Sequence, residues 1–248
     1  MVFGLKEEHA GPENDSSELT CRSCEKQNTC DGKEMMTIRN QKYEITDIAH
    51  EQYPFLHRIR ALRDIGEKVK AGELGGFVES ESNLSFEPGD DAWIFGDAIA
   101  CGGSYVDKGS RLFGDVVVCG NAYISQGSAL SGHARAEDDA YIRGADLCGH
   151  ARVSGSSMIL NLPDMKSAPI LSGNCVVYGK VMGDVHLSGN AVVLGSEEIR
   201  NDTPDTLLIN ERGRTVRRDP SRDELAPRAP RAQGTEERKK HKRKDVIR

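Results

Sequence analysis

The sequence predicts an all-β fold: one three-sided parallel β-helix, carrying a small N-terminal β cap and polar, unstructured ends. Three observations carry that prediction. Apolar residues recur at steps of six from Ile94 to Cys148, and the position two before each is mostly small. The composition is 37% hydrophobic but only 5% aromatic over 248 residues, too poor in bulky side chains for a thick core.

Residues 1–36 are polar and without periodicity, so they read as an unstructured leader. They hold Cys21, Cys24 and Cys30 with His9 upstream, and a C-x-x-C with a further Cys raises a zinc reading. The spacing lacks a second C-x-x-C or H-x-x-x-H, so free thiols are the better account and no metal site is expected. Met35 and Met36 directly precede the first strand-like segment, from which we expect the native start to lie there. An acidic beginning without an apolar h-region is unlike a signal peptide, and no stretch reaches the roughly 18 apolar residues of a membrane span. Seven scattered cysteines fit a reducing compartment, so a cytoplasmic protein is expected.

Residues 37–88 form the expected cap. Strand character starts at Tyr43–Thr46, and His57, Arg58, Ile59, Arg60 and Ala61 alternate with the period of a half-buried strand. The following VKAGELGGFVES places Gly72, Gly75 and Gly76 where tight turns are expected. A phosphate cradle would need a following Lys and helix, which are missing.

The six-residue row then runs through Ile94, Ala100, Val106, Leu112, Val118, Ile124, Leu130, Ala136, Ile142 and Cys148. After Cys148 the frame slips to Val153 and Ile159, breaks at the insertion NLPDMKSAP (161–169), and resumes through Val177, Leu187 and Val193 to about residue 200. Neither 3.6 nor 2 fits this spacing; a hexad is one short strand plus one corner, and three hexads close a coil. The small residue and the aliphatic both point inward. The slot before each small residue is biased to Gly, Asn, Asp and His, including His133 and His150, which predicts a positive-φ corner there rather than two catalytic bases.

Residues 201–248 are expected to be an unstructured basic tail. From Glu211 onward there are fourteen Lys/Arg against seven Asp/Glu, a net of +7, so the remainder carries −13 of the total −6. The run Lys239, Lys240, His241, Lys242, Arg243, Lys244 offers a weak nucleic-acid contact through counterion release, with a solvated tail as the plainer account.

The run VKAGELGGFVESESNLSFEPGDDAWIFGDA, together with HRIRALRDIG, resembles the YdcK-like β-helix proteins of bacteria and their phages. Likeness covers roughly Lys42 to Ser196. It implies a left-handed prism, and a functional assignment no firmer than that family's own, whose members are often labelled transferases because hexapeptide acyltransferases share the fold.

Stepping by eighteen assigns the outward faces. Tyr105, Tyr123 and Tyr141 fall in one row and are the candidate binding surface for a partner protein or glycan. Ile99 and Val117, with Cys101 and Cys119 beside them, lie on a second face and are the candidate interface for a homo-oligomer. Trp93, Phe95 and Phe113 fall on the third, which the cap is expected to cover. A rigid β-solenoid scaffold is the leading function. The alternative is an acyl-CoA-dependent acyltransferase with His186 as catalytic base and 161–169 as its loop; no orienting carboxylate stands out, and no cofactor, nucleotide or covalent-nucleophile pattern appears.

Overall fold

The computed structural model describes residues 39–163 and 167–219. Three cap strands, β1 (Tyr43–Ala49), β2 (His57–Ala61) and β3 (Leu74–Val78), pair antiparallel in sequence order, and β3 then pairs parallel with Ile99–Ala100. From there the chain winds as a left-handed parallel β-helix of roughly seven coils, whose strands mostly span two to four residues. Three sheets result. The cysteine face has nine strands including the cap, the tryptophan face eight and the tyrosine face six.

Coil-to-coil register explains why the sequence counts in sixes. Ile99 pairs with Val117 and Val117 with Arg135; Tyr105 pairs with Tyr123 and Tyr123 with Tyr141. Each rung is closed by amides donating to the next coil, as from Ile99 N to Val116 O at 2.8 Å and Tyr105 N to Ala122 O at 2.9 Å. Inside, Ile94, Val106, Leu112, Val118, Ile124, Leu130 and Ile142 form aliphatic rows, with Ala98, Ser104, Ser110, Ala122 and Ala134 filling the corners, all fully buried. A coil of this width has room for little else, so the low aromatic content follows from the geometry.

Cys148 is not the tenth inward residue. Leu147 is buried and Cys148 half-exposed, because the row shortens one hexad earlier than expected, at the corner between the tyrosine and tryptophan faces. In the preceding coils that corner uses two left-handed residues, Lys108–Gly109 and Gln126–Gly127; here the single Gly144 (φ +60°) replaces the pair. Tyr141 accordingly pairs with Met158, seventeen residues on.

The corner slot has positive φ at Gly109 and Gly127 but not at the histidines. Neither His133 nor His150 has positive φ; the left-handed residue is the one before, Gly132 and Gly149, each at φ +72°. A Cβ on Gly132 would lie 3.1 Å from the Gly149 carbonyl oxygen, so stacked corners demand glycine there twice over. Asn, Asp and His follow these glycines because their side chains ladder outward. Asn121 donates to Asp139 at 2.9 Å, Asn174 to Asn190 at 3.2 Å, and the His133 and His150 rings stack at 4.8 Å.

Gly75 and Gly76 lie within β3 rather than in a turn. A Cβ on Gly76 would sit 2.3 Å from the Ala98 carbonyl oxygen and 2.4 Å from Ile94 Cγ2. These glycines let the cap seat itself directly on the first coil. Trp93 is buried there, edge-on to Tyr43 with ring centroids 6.3 Å apart. Arg58 fastens the junction by donating to the Gly75 and Gly96 carbonyls and to Asp97, while its guanidinium covers the Phe77 ring at 4.3 Å. Asp90 substitutes for a missing preceding coil: its carboxylate accepts from the amides of Ala92, Lys108 and Gly109, all at 2.8 Å. Burial opposes ionisation of that carboxylate, but the hydrogen bonds from Ser85 and these amides hold it below the usual range.

At the other end the chain stays ordered past residue 200. Thr206–Asn210 adds a parallel strand beside Val185–Leu187, and Gly213–Arg217 folds back on it antiparallel. Residues 206–217 thus depart from the expected unstructured tail, and their apolar Leu207 and Ile209 pack at the end of the core. The basic run 239–244, the leader cysteines and Met35–Met36 lie outside the described residues.

Candidate functional site

Parallel register brings Tyr105, Tyr123 and Tyr141 into one stacked row. Ring centroids are 5.8 and 5.4 Å apart, with interplanar angles of 28° and 23°. Stacking turns the ring faces toward one another, so solvent meets the ring edges and hydroxyls. The Tyr123 hydroxyl donates to Asp107 at 2.7 Å; burial and that carboxylate hold it above the usual tyrosine range. Asp107 is itself buried, and its second oxygen has no hydrogen-bond partner in the structure. In the same register the row continues into Met158, Lys180 and Glu198, so the aromatic strip ends in a charged pair of rungs.

The second face divides differently from expectation. Ile99 is buried under Leu56 of the β1–β2 loop and beside Phe77, so the cap already covers it and it offers no surface to a second chain. Val117, Cys101 and Cys119 stay half-exposed. The two thiols interact: the hydrogen bond from Cys101 lowers Cys119 to about 7 against the effect of burial, while the same bond and burial push Cys101 up. On the third face Trp93 is sealed by the cap, and Phe95 and Phe113 stack at 4.6 Å beside it.

His186 lies in the strand Val185–Leu187, its imidazole partly exposed between flanking buried residues. The structure supplies the carboxylate that sequence reasoning missed: Asp184 Oδ1 is 3.5 Å from His186 Nε2. Asp184 is buried, its Oδ2 accepting from Thr206 Oγ1 at 3.1 Å and its Oδ1 without a close donor. Desolvation lowers the His186 pKa, Asp184 opposes that and Arg217 adds to it. A D-x-H spacing was the available signal. In a flat strand it places both side chains on one face, but here Asp184 sits at a corner, which brings its carboxylate to the ring. Leu162, in the described start of the insertion, lies at that same corner near Gly183.

A cleft of about 440 Å³ opens between the β1–β2 loop and the first coil, lined by His50, Arg58, Phe77 and Asp97. Arg58, Asp97 and His50 in it are already engaged. Arg58 is committed as above, and His50 Nδ1 accepts from the amides of Gln52 and Tyr53. Among the described residues no group of three or more His, Cys, Asp or Glu is placed to hold a metal ion, and no helix is long and apolar enough to cross a membrane. Compared with known proteins, the chain matches no family model and no curated protein.

Proposed function

We propose that the protein is a non-catalytic scaffold of the YdcK-like kind, a rigid β-solenoid whose tyrosine face meets a partner that hydrogen-bonds along its edge, a glycan or an extended polypeptide. The observation that supports this reading is the in-register row Tyr105–Tyr123–Tyr141, stacked on consecutive rungs. Little ordering entropy is lost when such a row makes contact. Because the ring faces are occupied by each other and the Tyr123 hydroxyl by Asp107, recognition goes through ring edges and the hydroxyls of Tyr105 and Tyr141, not through stacking on a sugar ring. The test is the triple Tyr→Ser variant, compared with wild type in glycan-array binding and in melting. A recognition row requires near wild-type melting with binding lost; lower melting with binding intact assigns the row to stability alone.

The second reading, an acyl-CoA-dependent acyltransferase, is favoured by one feature, the Asp184 carboxylate beside His186. An imidazole with its pKa lowered by burial and a carboxylate nearby is what an acceptor-deprotonating base requires. Acetyl-CoA should then raise the melting temperature of wild type. No shift at millimolar acetyl-CoA removes this reading.

A further inference from the structure

Cys101 and Cys119 directly follow the paired strands Ile99–Ala100 and Val117–Val118. Their amides continue the rung pattern, Cys101 N donating to Val118 O at 3.0 Å and Cys119 N to Ala136 O at 2.9 Å. The two residues are therefore register partners on adjacent coils, both free and both half-exposed on the same face. Neighbouring strands lie about 4.8 Å apart, inside the Cα separation of about 4.4–6.8 Å that a disulfide accepts. Around them are the Leu56–Phe77–Ile99 cluster, against which Cys101 packs, and the charges of Glu79, Arg135, Glu137 and Asp138. The other described thiols differ. Cys175 is buried in the core with its thiol pushed up to about 11 by burial, and Cys148 lies on another face.

We propose that Cys101 and Cys119 form a peroxide-reactive dithiol, in which a hydroperoxide oxidises Cys119 and Cys101 resolves it into a disulfide joining two coils beside the cap. This inference is independent of the tyrosine-face reading. In the first step the Cys119 thiolate attacks the peroxide; an S–O bond forms, the O–O bond breaks, and the leaving alkoxide or hydroxide takes up a proton as alcohol or water. In the second the Cys101 sulfur attacks the Cys119 sulfenic acid. An S–S bond forms, the S–O bond breaks, and hydroxide leaves with the Cys101 proton as water. Two thiols are oxidised by two electrons and one peroxide is reduced. Cys101 packs against the Leu56–Phe77–Ile99 cluster and Cys119 lies outside it, which leaves Cys119 the sulfur for the attacking role and the covered Cys101 for the resolving one; the lowering of Cys119 by its neighbour agrees. Rigid rungs hold the Cβ atoms near the strand spacing, wider than the roughly 3.8 Å of a relaxed disulfide, so the bond closes under strain and is readily reduced again.

The test uses the reduced full chain treated with hydrogen peroxide and mapped by trypsin without reduction. Cys101 and Cys119 fall in separate tryptic peptides, residues 71–108 and 112–135, each with a single cysteine. The expected product is those two peptides joined, lost on adding dithiothreitol. In Cys101→Ser, dimedone should trap a sulfenic acid on Cys119; in Cys119→Ser, Cys101 should stay reduced. A measurement on wild type needs no variant to fold: at pH 7, iodoacetamide should modify Cys119 roughly tenfold faster than Cys148. Oxidation of Cys119 to sulfinic acid with no 71–108/112–135 cross-link overturns the proposal, as does alkylation of Cys119 no faster than of Cys148.

Discussion

The two ends of this solenoid meet the same problem, an unpaired coil, with opposite means. At the entrance the cap adds three strands to one sheet, buries Trp93 and Ile99, and lets Asp90 stand in for absent backbone carbonyls. At the exit, among the described residues, only the tryptophan face is extended, by the hairpin 206–217. The cysteine face ends at Val192–Val193, with Val192 56%, Leu194 61% and Tyr178 45% exposed. Stability should therefore be concentrated at the entrance, where side chains and backbone interlock, and the exit should tolerate change.

The largest contrast is expected from truncating an outward apolar residue at each end. Trp93→Ala should cost about 3–5 kcal/mol, because the cap and first coil close around that ring. Val192→Ala should stay within about 0.5 kcal/mol. Denaturant unfolding of both variants measures the difference. Trp93→Phe sharpens it: the indole N–H has no hydrogen-bond partner, so the phenyl variant should lose far less than the alanine variant.

A smaller contrast uses glycine. Gly76→Ala forces a Cβ into the Ala98 carbonyl and Ile94, which should cost about 1–3 kcal/mol by overpacking. At the exit, Gly195→Ala meets nothing closer than 3.8 Å and should be neutral. Equal melting of the two variants would mean that the cap is not seated through β3.

These contrasts also mark how far the sequence could be read. Hexads from Ile94 to Ile142 were legible because every coil there is eighteen residues, so inward rows and outward faces followed from counting. The slip at Gly144 was not, since Cys148 is apolar enough to continue the row and nothing in a six-step count registers a corner losing one left-handed residue. Gly75 and Gly76 announced that a side chain was forbidden, but a turn and a close backbone approach look alike in sequence. The Asp184–His186 pair needed the corner geometry. The hairpin 206–217 was obscured by the charge around it, although Leu207 and Ile209 alternate and Gly213 lies at its turn.

Lys42 gives a third way to sharpen the comparison, through pH. It is buried at the entrance with its ammonium donating to the Ser85 carbonyl at 2.7 Å, and burial lowers its pKa from 10.5 to about 8, only partly offset by Asp90. Between those values the unfolded chain binds the proton that the folded chain has released. Unfolding free energy from this group therefore rises with pH from about 8 toward 10.5, by at most about 1.4 kcal/mol per pH unit. Lys42→Met should remove that rise, so the wild-type minus variant stability should climb by about 1.6 kcal/mol between pH 8 and 9.5. A constant difference would mean that the ammonium is solvated and the entrance looser than the packing around Tyr43 implies.

The smallest effect is expected where the chain leaves most apolar surface uncovered. Leu194 follows the last strand of the cysteine face and has no neighbouring coil on its outer side, so Leu194→Lys gives up little buried area and keeps its stem along Tyr178 while the ammonium stays in water. A charge beside an unpaired strand edge also opposes edge-to-edge pairing, as lysines commonly do in β-proteins. Unfolding free energy should then change by less than about 0.5 kcal/mol. A loss above about 1 kcal/mol would show that Leu194 is covered in solution, and the asymmetry between a sealed entrance and an open exit would no longer describe the molecule.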